Sequence, residues 1–125
     1  MDFLSCQAAS YNMSIGLKNA GEIIQGVMNV VQFSIAESCV QYSECTTYDP
    51  FIQAGKPVFS IQYPPGAPSI LAATLSNTCA TTGPGTGSAN FSTVLKKQNL
   101  DGWVEYCDGS IGNTPLGVGT GKIDL

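Results

Sequence analysis

The sequence predicts an α/β fold in which parallel strands are joined by helical crossovers. Three observations lead there. Compact apolar runs, each too short for a helix, recur along the chain. Segments with apolar residues at helical spacing separate them, and every run ends in polar residues. Such a βαβαβαβα order places the strands parallel and puts any chemistry at their carboxyl ends, where the βα loops converge. A doubly wound sheet and a barrel both fit this pattern.

Along the chain, Asp2 to Tyr11 reads as the end of a helix, with Phe3, Leu4, Ala8 and Tyr11 near helical spacing. Met13 to Leu17 is a first buried strand, ending in Lys18-Asn19. Ala20 to Val27 returns to helical spacing through Ile23, Ile24 and Val27. Val30 to Glu37 is β-branched and compact, a second strand that ends in Glu37-Ser38-Cys39. Ser43 to Ala54 forms one or two helical turns interrupted at Pro50, with Gly55 as the stop. Pro57 to Tyr63 is a third strand, closed by Pro64-Pro65-Gly66. Ser69 to Ala80 reads as a helix and Thr81 to Ser88 as a Gly/Pro/Thr loop. Phe91 to Leu95 is a fourth strand ending in Lys96-Lys97. Asn99 to Cys107 reads as a final helix around Trp103, with a loose Gly-rich tail from Gly109 onward (domain residues 1–108, tail 109–125).

A chain of 125 residues has room for about one small domain. Hydrophobic residues at 43% and charged residues at 11% exclude a disordered tail or a coiled coil. Five Lys, with no Arg or His, stand against nine acidic groups, for a net charge of −4. There is no basic stripe for nucleic acid, and no His for a triad, proton shuttle or metal site. Any chemistry falls to carboxylates, Tyr, Lys, hydroxyls or Cys, with no metal or organic cofactor expected. No run approaches the ~18 apolar residues of a membrane span, and Met1 to Cys6 lacks the basic head and apolar run of a signal peptide. The five Cys make a poor zinc pattern and a fair disulfide pattern that leaves one over. Asn12-Met13-Ser14 and Asn90-Phe91-Ser92 are sequons compatible with secretion. The cysteines thus suggest export while the amino terminus offers no means of it, so the expectation is a fragment or a chain whose start is missing.

Ordered blocks resemble one family. Ser14-Ile15-Gly16-Leu17-Lys18-Asn19 is similar to the "GLKN" strand end of the endo-α-1,4-polygalactosaminidases, glycoside hydrolase family 114. Glu37 to Cys45 resembles the family's "E-x-C-x-Q-Y-x-E-C" block, and Pro50 to Phe59 its "PFI-x-AGK-x-VF" block. Phe91 to Lys96 and Leu100 to Trp103 resemble its closing "STILK…LDAW" segments. The resemblance runs from about Tyr11 to Cys107. It implies a secreted, extracellular (β/α)8 TIM barrel that hydrolyses α-1,4-linked galactosamine polymers such as the galactosaminogalactan of fungal biofilms. A complete barrel needs about 250 residues, so the chain would supply the carboxyl-terminal half, the last four βα units. The family's "E-P-D-N" strand end, with a proposed catalytic Asp, has no counterpart here. Ile61-Gln62-Tyr63 stands where the family usually has "V-E-Y".

Glu37, at a strand end and opening the most specific block, is the candidate catalytic carboxylate, as acid/base or nucleophile; the competing reading is a helix N-terminal acid or a solvated loop carboxylate. Lys18, Asn19, Tyr42, Glu44, Gln62 and Tyr63 are candidate substrate-binding residues. Asn can bond a sugar hydroxyl, Lys can bias a neighbouring carboxylate, and Tyr42, Tyr48 and Tyr63 can stack on sugars or hold ammonium groups, although a buried, satisfied Tyr is commoner. Gln62 and Lys18-Asn19 are expected to meet Glu37 at one mouth. Cys39 with Cys45 and Cys79 with Cys107 are most simply two disulfides, and Trp103 a core anchor. The expected partner is a cationic amino-sugar polysaccharide, which an acidic chain suits; oligomeric state is open. The alternative is a noncatalytic glycan-binding remnant or truncated gene product. An unrelated α/β domain is a third option, which antiparallel pairing of the strands would support. Half a barrel would also leave exposed strand edges and one uncovered face.

Overall fold

The computed structural model describes residues 1–116 of the chain. Its order is helix α1 (Asp2–Ser10), strand β1 (Gly16–Lys18), helix α2 (Ile24–Val27), β2 (Phe33–Glu37), α3 (Asp49–Gln53), β3 (Val58–Gln62), α4 (Ala72–Thr78), β4 (Ser92–Leu95), β5 (Trp103–Tyr106) and β6 (Ile111–Asn113). Short 3₁₀ turns at Gly21–Ile23, Cys45–Tyr48 and Gly83–Gly85 complete it. The six strands form one sheet in chain order.

β1 to β4 are parallel neighbours in succession, as the alternation of apolar runs and helical segments predicts. Their register sorts the side chains into two faces, because alternate residues of a strand point to opposite sides. Leu17, Ser34, Ala36, Val58, Ser60, Gln62 and Leu95 share one face, and all are buried. Most of the core lies there: Ile24, Val27, Tyr48 and Phe51, from the helical connections, pack with Leu17, Ala36 and Val58. Phe51 is fully buried, so its truncation to Ala would cost roughly 3–5 kcal/mol. Lys56 fastens the α2 connection from below, donating to the carbonyls of Met28 and Val31.

The opposite face carries Lys18, Phe33, Ile35, Glu37, Phe59, Ile61 and Val94, and none of these is buried. Phe33 and Phe59 meet edge to face at 5.9 Å on it. Gly16 is required beneath this pair, since a Cβ there would sit 2.2 Å from the Phe33 ring.

Two elements differ from the sequence expectation. Asn99 to Cys107 is not a helix: Trp103–Tyr106 is β5, antiparallel to β4, and Ile111–Asn113, expected in the tail, is β6, antiparallel to β5. The reason is local. Cys107-Asp108-Gly109-Ser110 forms a hairpin loop in which Gly109 takes φ +85, and Asp108 Oδ1 accepts from the Ser110 N–H at 2.8 Å and its hydroxyl at 2.6 Å. Those bonds hold the Asp108 carboxyl below the ordinary 3.8. Asp-Gly between residues of alternating burial is a hairpin signal. The remainder of the Gly-rich tail, residues 117–125, lies outside the described residues.

Cys39 is bonded to Cys45 and Cys79 to Cys107, while Cys6 is free and exposed on α1. The second bond ties the end of α4 to the β5–β6 hairpin. Among the described residues no helix is long and apolar enough to cross a membrane.

Candidate active site

The carboxyl ends of β1 and β2 lie side by side, and there the backbone leaves regular geometry. Asn19 and Ala20 both adopt left-handed φ, +53 and +52, which Asn tolerates better than most residues. The reversal turns the Asn19 side chain across to β2. Its Oδ1 accepts from the Glu37 N–H at 2.9 Å, and its Nδ2 lies 3.5 Å from Glu37 Oε2. From the same strand, Lys18 Nζ stands 3.1 Å from Glu37 Oε1. The Glu37 side chain is 23% exposed, against 61% for Lys18. The carboxylate is therefore held from one flank and still reachable from solvent.

The same reversal delivers a residue that sequence reasoning missed. Two left-handed residues drop the Gly21–Ile23 turn beside β2, and Glu22 enters the cavity that Glu37 lines. Gly21 allows the close approach, because a Cβ there would meet Thr47 Cγ2 at 2.5 Å. An acidic residue three positions after a strand-terminal Asn was the available signal.

Glu44 reaches the same cavity by another route. After Glu37 the chain turns at Ser38 (φ +60) and again at Ser43 (φ +53). The disulfide joins the loop's ends, and the Glu44 N–H donates to the Cys39 carbonyl at 2.9 Å. The fold-back brings two glutamates seven residues apart into one cavity of about 320 Å³, lined by Asn19, Glu22, Glu37, Tyr42, Glu44 and Tyr48. Three carboxylates face it, and among the described residues only Glu37 of the three has an ion-pair partner.

The tyrosines divide. Tyr42 is 65% exposed at the rim. Tyr48 is buried in the core, edge to face with Phe91, so it is no stacking platform. Burial, then the charges of Glu44 and Glu22, push its phenol pKa above 10.0. Tyr63 follows β3 on the Glu37 side. Burial, then the charge of Glu37 and the hydroxyl's approach to that carboxylate, raise its pKa likewise.

Gln62 does not meet Glu37. Glu37 is in register with Ile61, so the next residue points to the opposite face. There Gln62 is 2% exposed, and its Nε2 donates to Ser60 Oγ at 2.8 Å and lies 3.8 Å from Cys39 Sγ. The expectation of one mouth shared by Lys18, Asn19, Glu37 and Gln62 thus holds for the first three and fails for the fourth. Lys96 and Lys97, at the end of β4, are engaged by Asp101. Among the described residues no group of three His, Cys, Asp or Glu side chains is placed to hold a metal ion.

The arrangement presents one anchored, accessible carboxylate next to two that have no ion-pair partner among the described residues, with aromatic hydroxyls nearby. Such a site attracts cations and can supply a carboxyl group for proton transfer or nucleophilic attack.

The profile of glycoside-hydrolase family GH114 matches residues 1–112. Among solved structures, the crystal structure of Aspergillus fumigatus Ega3 in complex with galactosamine matches with a TM-score of 0.73 and 49% identity, over 84% of this chain and 42% of that chain. The chain therefore spans less than half the length of that relative. No curated protein matches it.

Proposed function

The chain belongs to glycoside-hydrolase family GH114, and from that premise we propose that it contributes the Glu37 side of an endo-α-1,4-polygalactosaminidase active site. The observation that carries this reading is the grip of Lys18 and Asn19 on Glu37 inside a cavity that Glu22 and Glu44 also face. Glycosidases work with paired carboxyl groups flanking the scissile bond. Glu37 is one member, acting as acid/base or nucleophile, and the second comes from outside this segment. Glu22 and Glu44 hold the substrate's ammonium groups by charge, Tyr42 and Tyr63 offer their rings, and Lys18 and Asn19 fix the carboxylate and bond sugar hydroxyls. The ligand is a galactosamine-containing polysaccharide, in keeping with the galactosamine named with the Aspergillus fumigatus relative.

In this reading β1 to β4 belong to the carboxyl-terminal half of a (β/α)8 barrel. Two observations support it: the four parallel strands bury one face and leave the other open, and the chain covers 42% of the solved relative. The segment alone then has little hydrolytic activity and acts at most as a glycan binder. The two disulfides suit an oxidising, extracellular setting.

The test is an NMR titration of the chain with methyl α-galactosaminide in mildly acidic buffer. Shifts centred on Asn19, Glu22 and Glu44, lost in Glu22→Gln/Glu44→Gln, are the expected result. Saturable binding elsewhere, or unaltered binding by that double variant, would overturn it.

A further inference from the structure

A second cavity, of about 410 Å³, opens beside the first, between the loops that follow β2, β3 and β4. It lies within the ~300–1,000 Å³ range of small-ligand sites. Its lining is unlike that of the acidic cavity. Gln41, Gln62 and Gln98 bring three primary amides, Thr78 and Tyr63 bring hydroxyls, and Val40 with the prolines after Tyr63 brings apolar surface. Among the described residues no charged side chain lines it.

Gln62 is the informative member. It is 98% buried by its 2% exposure, and Ser60 and Cys39 occupy its Nε2. Among the described residues nothing donates to its Oε1. Yet no side-chain oxygen sealed from solvent is without a partner there. The Oε1 atom is therefore not sealed from solvent, and Gln62 lines this cavity. A buried amide oxygen, fixed in place by the bonds of its own nitrogen, is an acceptor awaiting a donor. Beyond Tyr63, Pro64 and Gln98, which both cavities share, a third hollow is lined by Lys96 and Lys97.

We propose that this amide-lined cavity binds an uncharged N-acylated hexosamine unit, next to the acidic cavity that takes a charged one. The inference rests on the amino-sugar reading above for its ligand class. An ammonium group here would lose water with no carboxylate to replace it and would sit toward two lysines. An acylamino group matches instead. Its N–H meets Gln62 Oε1, its carbonyl meets the amide N–H groups of Gln41 or Gln98, and its methyl meets Val40 and the prolines. Tyr63 lines this cavity and its hydroxyl approaches the Glu37 carboxylate of the other, so it stands between the two units. The chain thereby takes a charged unit on one side of Tyr63 and a neutral one on the other.

The test compares methyl N-acetyl-α-galactosaminide, methyl α-galactosaminide and methyl α-galactoside by NMR titration of the 125-residue chain. The N-acetyl glycoside should shift the Gln62 side-chain amide and Thr78, while the charged glycoside should shift the Glu22 and Glu44 signals and leave Gln62 unmoved. Thr78→Trp, which fills the cavity from the end of α4, should weaken N-acetyl glycoside binding at least tenfold and spare the charged glycoside. No response at Gln62, equal binding of the plain galactoside, entry of the charged glycoside, or a neutral Thr78→Trp would each overturn the proposal. Failure of the charged glycoside at the acidic cavity would instead count against the polygalactosaminidase reading alone.

Discussion

Asn19 and Glu37 engage each other twice: the Glu37 backbone N–H donates to Asn19 Oδ1 at 2.9 Å, and Asn19 Nδ2 reaches Glu37 Oε2 at 3.5 Å. The contact depends on the left-handed backbone of Asn19, φ +53. Asn19→Gly keeps that conformation and loses the side-chain bonds, at a cost of about 1 kcal/mol. Asn19→Ala loses the bonds and also strains the backbone, for roughly 1 kcal/mol more. Urea denaturation of the two variants checks the order; equal stability would show that the backbone at this position carries no strain.

Tyrosine ionisation reports the two sides of the acidic cavity separately. Burial and Glu37 raise Tyr63, while burial, Glu44 and Glu22 raise Tyr48. A raised folded-state pKa means that the folded chain favours the neutral phenol. The associated stability is complete below pH 10.0, the ordinary tyrosine value, and is lost as pH climbs through the higher folded values. Glu37→Gln should lower the Tyr63 midpoint and spare Tyr48, and Glu44→Gln should do the reverse. NMR titration of the ring carbons reads each residue, and a Tyr63 midpoint indifferent to Glu37→Gln would separate the pair.

At the start of β5, Asp101 Oδ1 accepts from the Trp103 N–H at 3.0 Å while Oδ2 takes Lys97. The Lys97 bond, then that of Trp103, holds its carboxyl below 3.8. A depressed folded pKa stabilises above the unfolded value and is lost as pH falls through the folded one. Asp101→Asn keeps an acceptor for Trp103 and discards the charge. It should be less stable than wild type at neutral pH, with the difference closing below the unfolded carboxylate range. A difference that persists in strong acid would contradict this.

The two disulfides should differ in worth. They close separations of 6 and 28 residues, and chain-entropy scaling gives about 2 and about 3.5 kcal/mol. Cys79→Ser/Cys107→Ser should therefore lower the urea midpoint more than Cys39→Ser/Cys45→Ser. The opposite order would mean that the Cys39–Cys45 loop contributes through packing, with Ser60 and Gln62 against Cys39 Sγ, more than through entropy.

The legible part of the fold was the part written in short apolar runs. β1 to β4 appeared where Leu17, Ile35, Val58 and Val94 sit in β-rich segments bounded by turn residues. β5 is harder to read because Trp103-Val104-Glu105-Tyr106, although strand-forming in composition, spans only four residues, and the Asp108-Gly109 turn opens a Gly-rich stretch that resembles a tail. The site was legible where it rests on strand ends, at Lys18, Asn19 and Glu37. The face of Gln62 turns on one residue of register, because Glu37 pairs with Ile61 and the next side chain points to the other side. Glu22 was invisible because its position depends on the two left-handed residues before it, which apolar periodicity does not encode.

The central claim is that Glu37 performs chemistry. Its most direct test is a chimera in which this segment replaces the matching part of Aspergillus fumigatus Ega3, assayed for reducing-end release from an α-1,4-linked galactosamine polymer. The chimera should cleave, and Glu37→Gln within it should lower the rate by about 10²–10⁴-fold or more, the contribution of a positioned acid or base, while still binding methyl α-galactosaminide. Near-normal cleavage by Glu37→Gln would contradict the account and shift the catalytic assignment to Glu44.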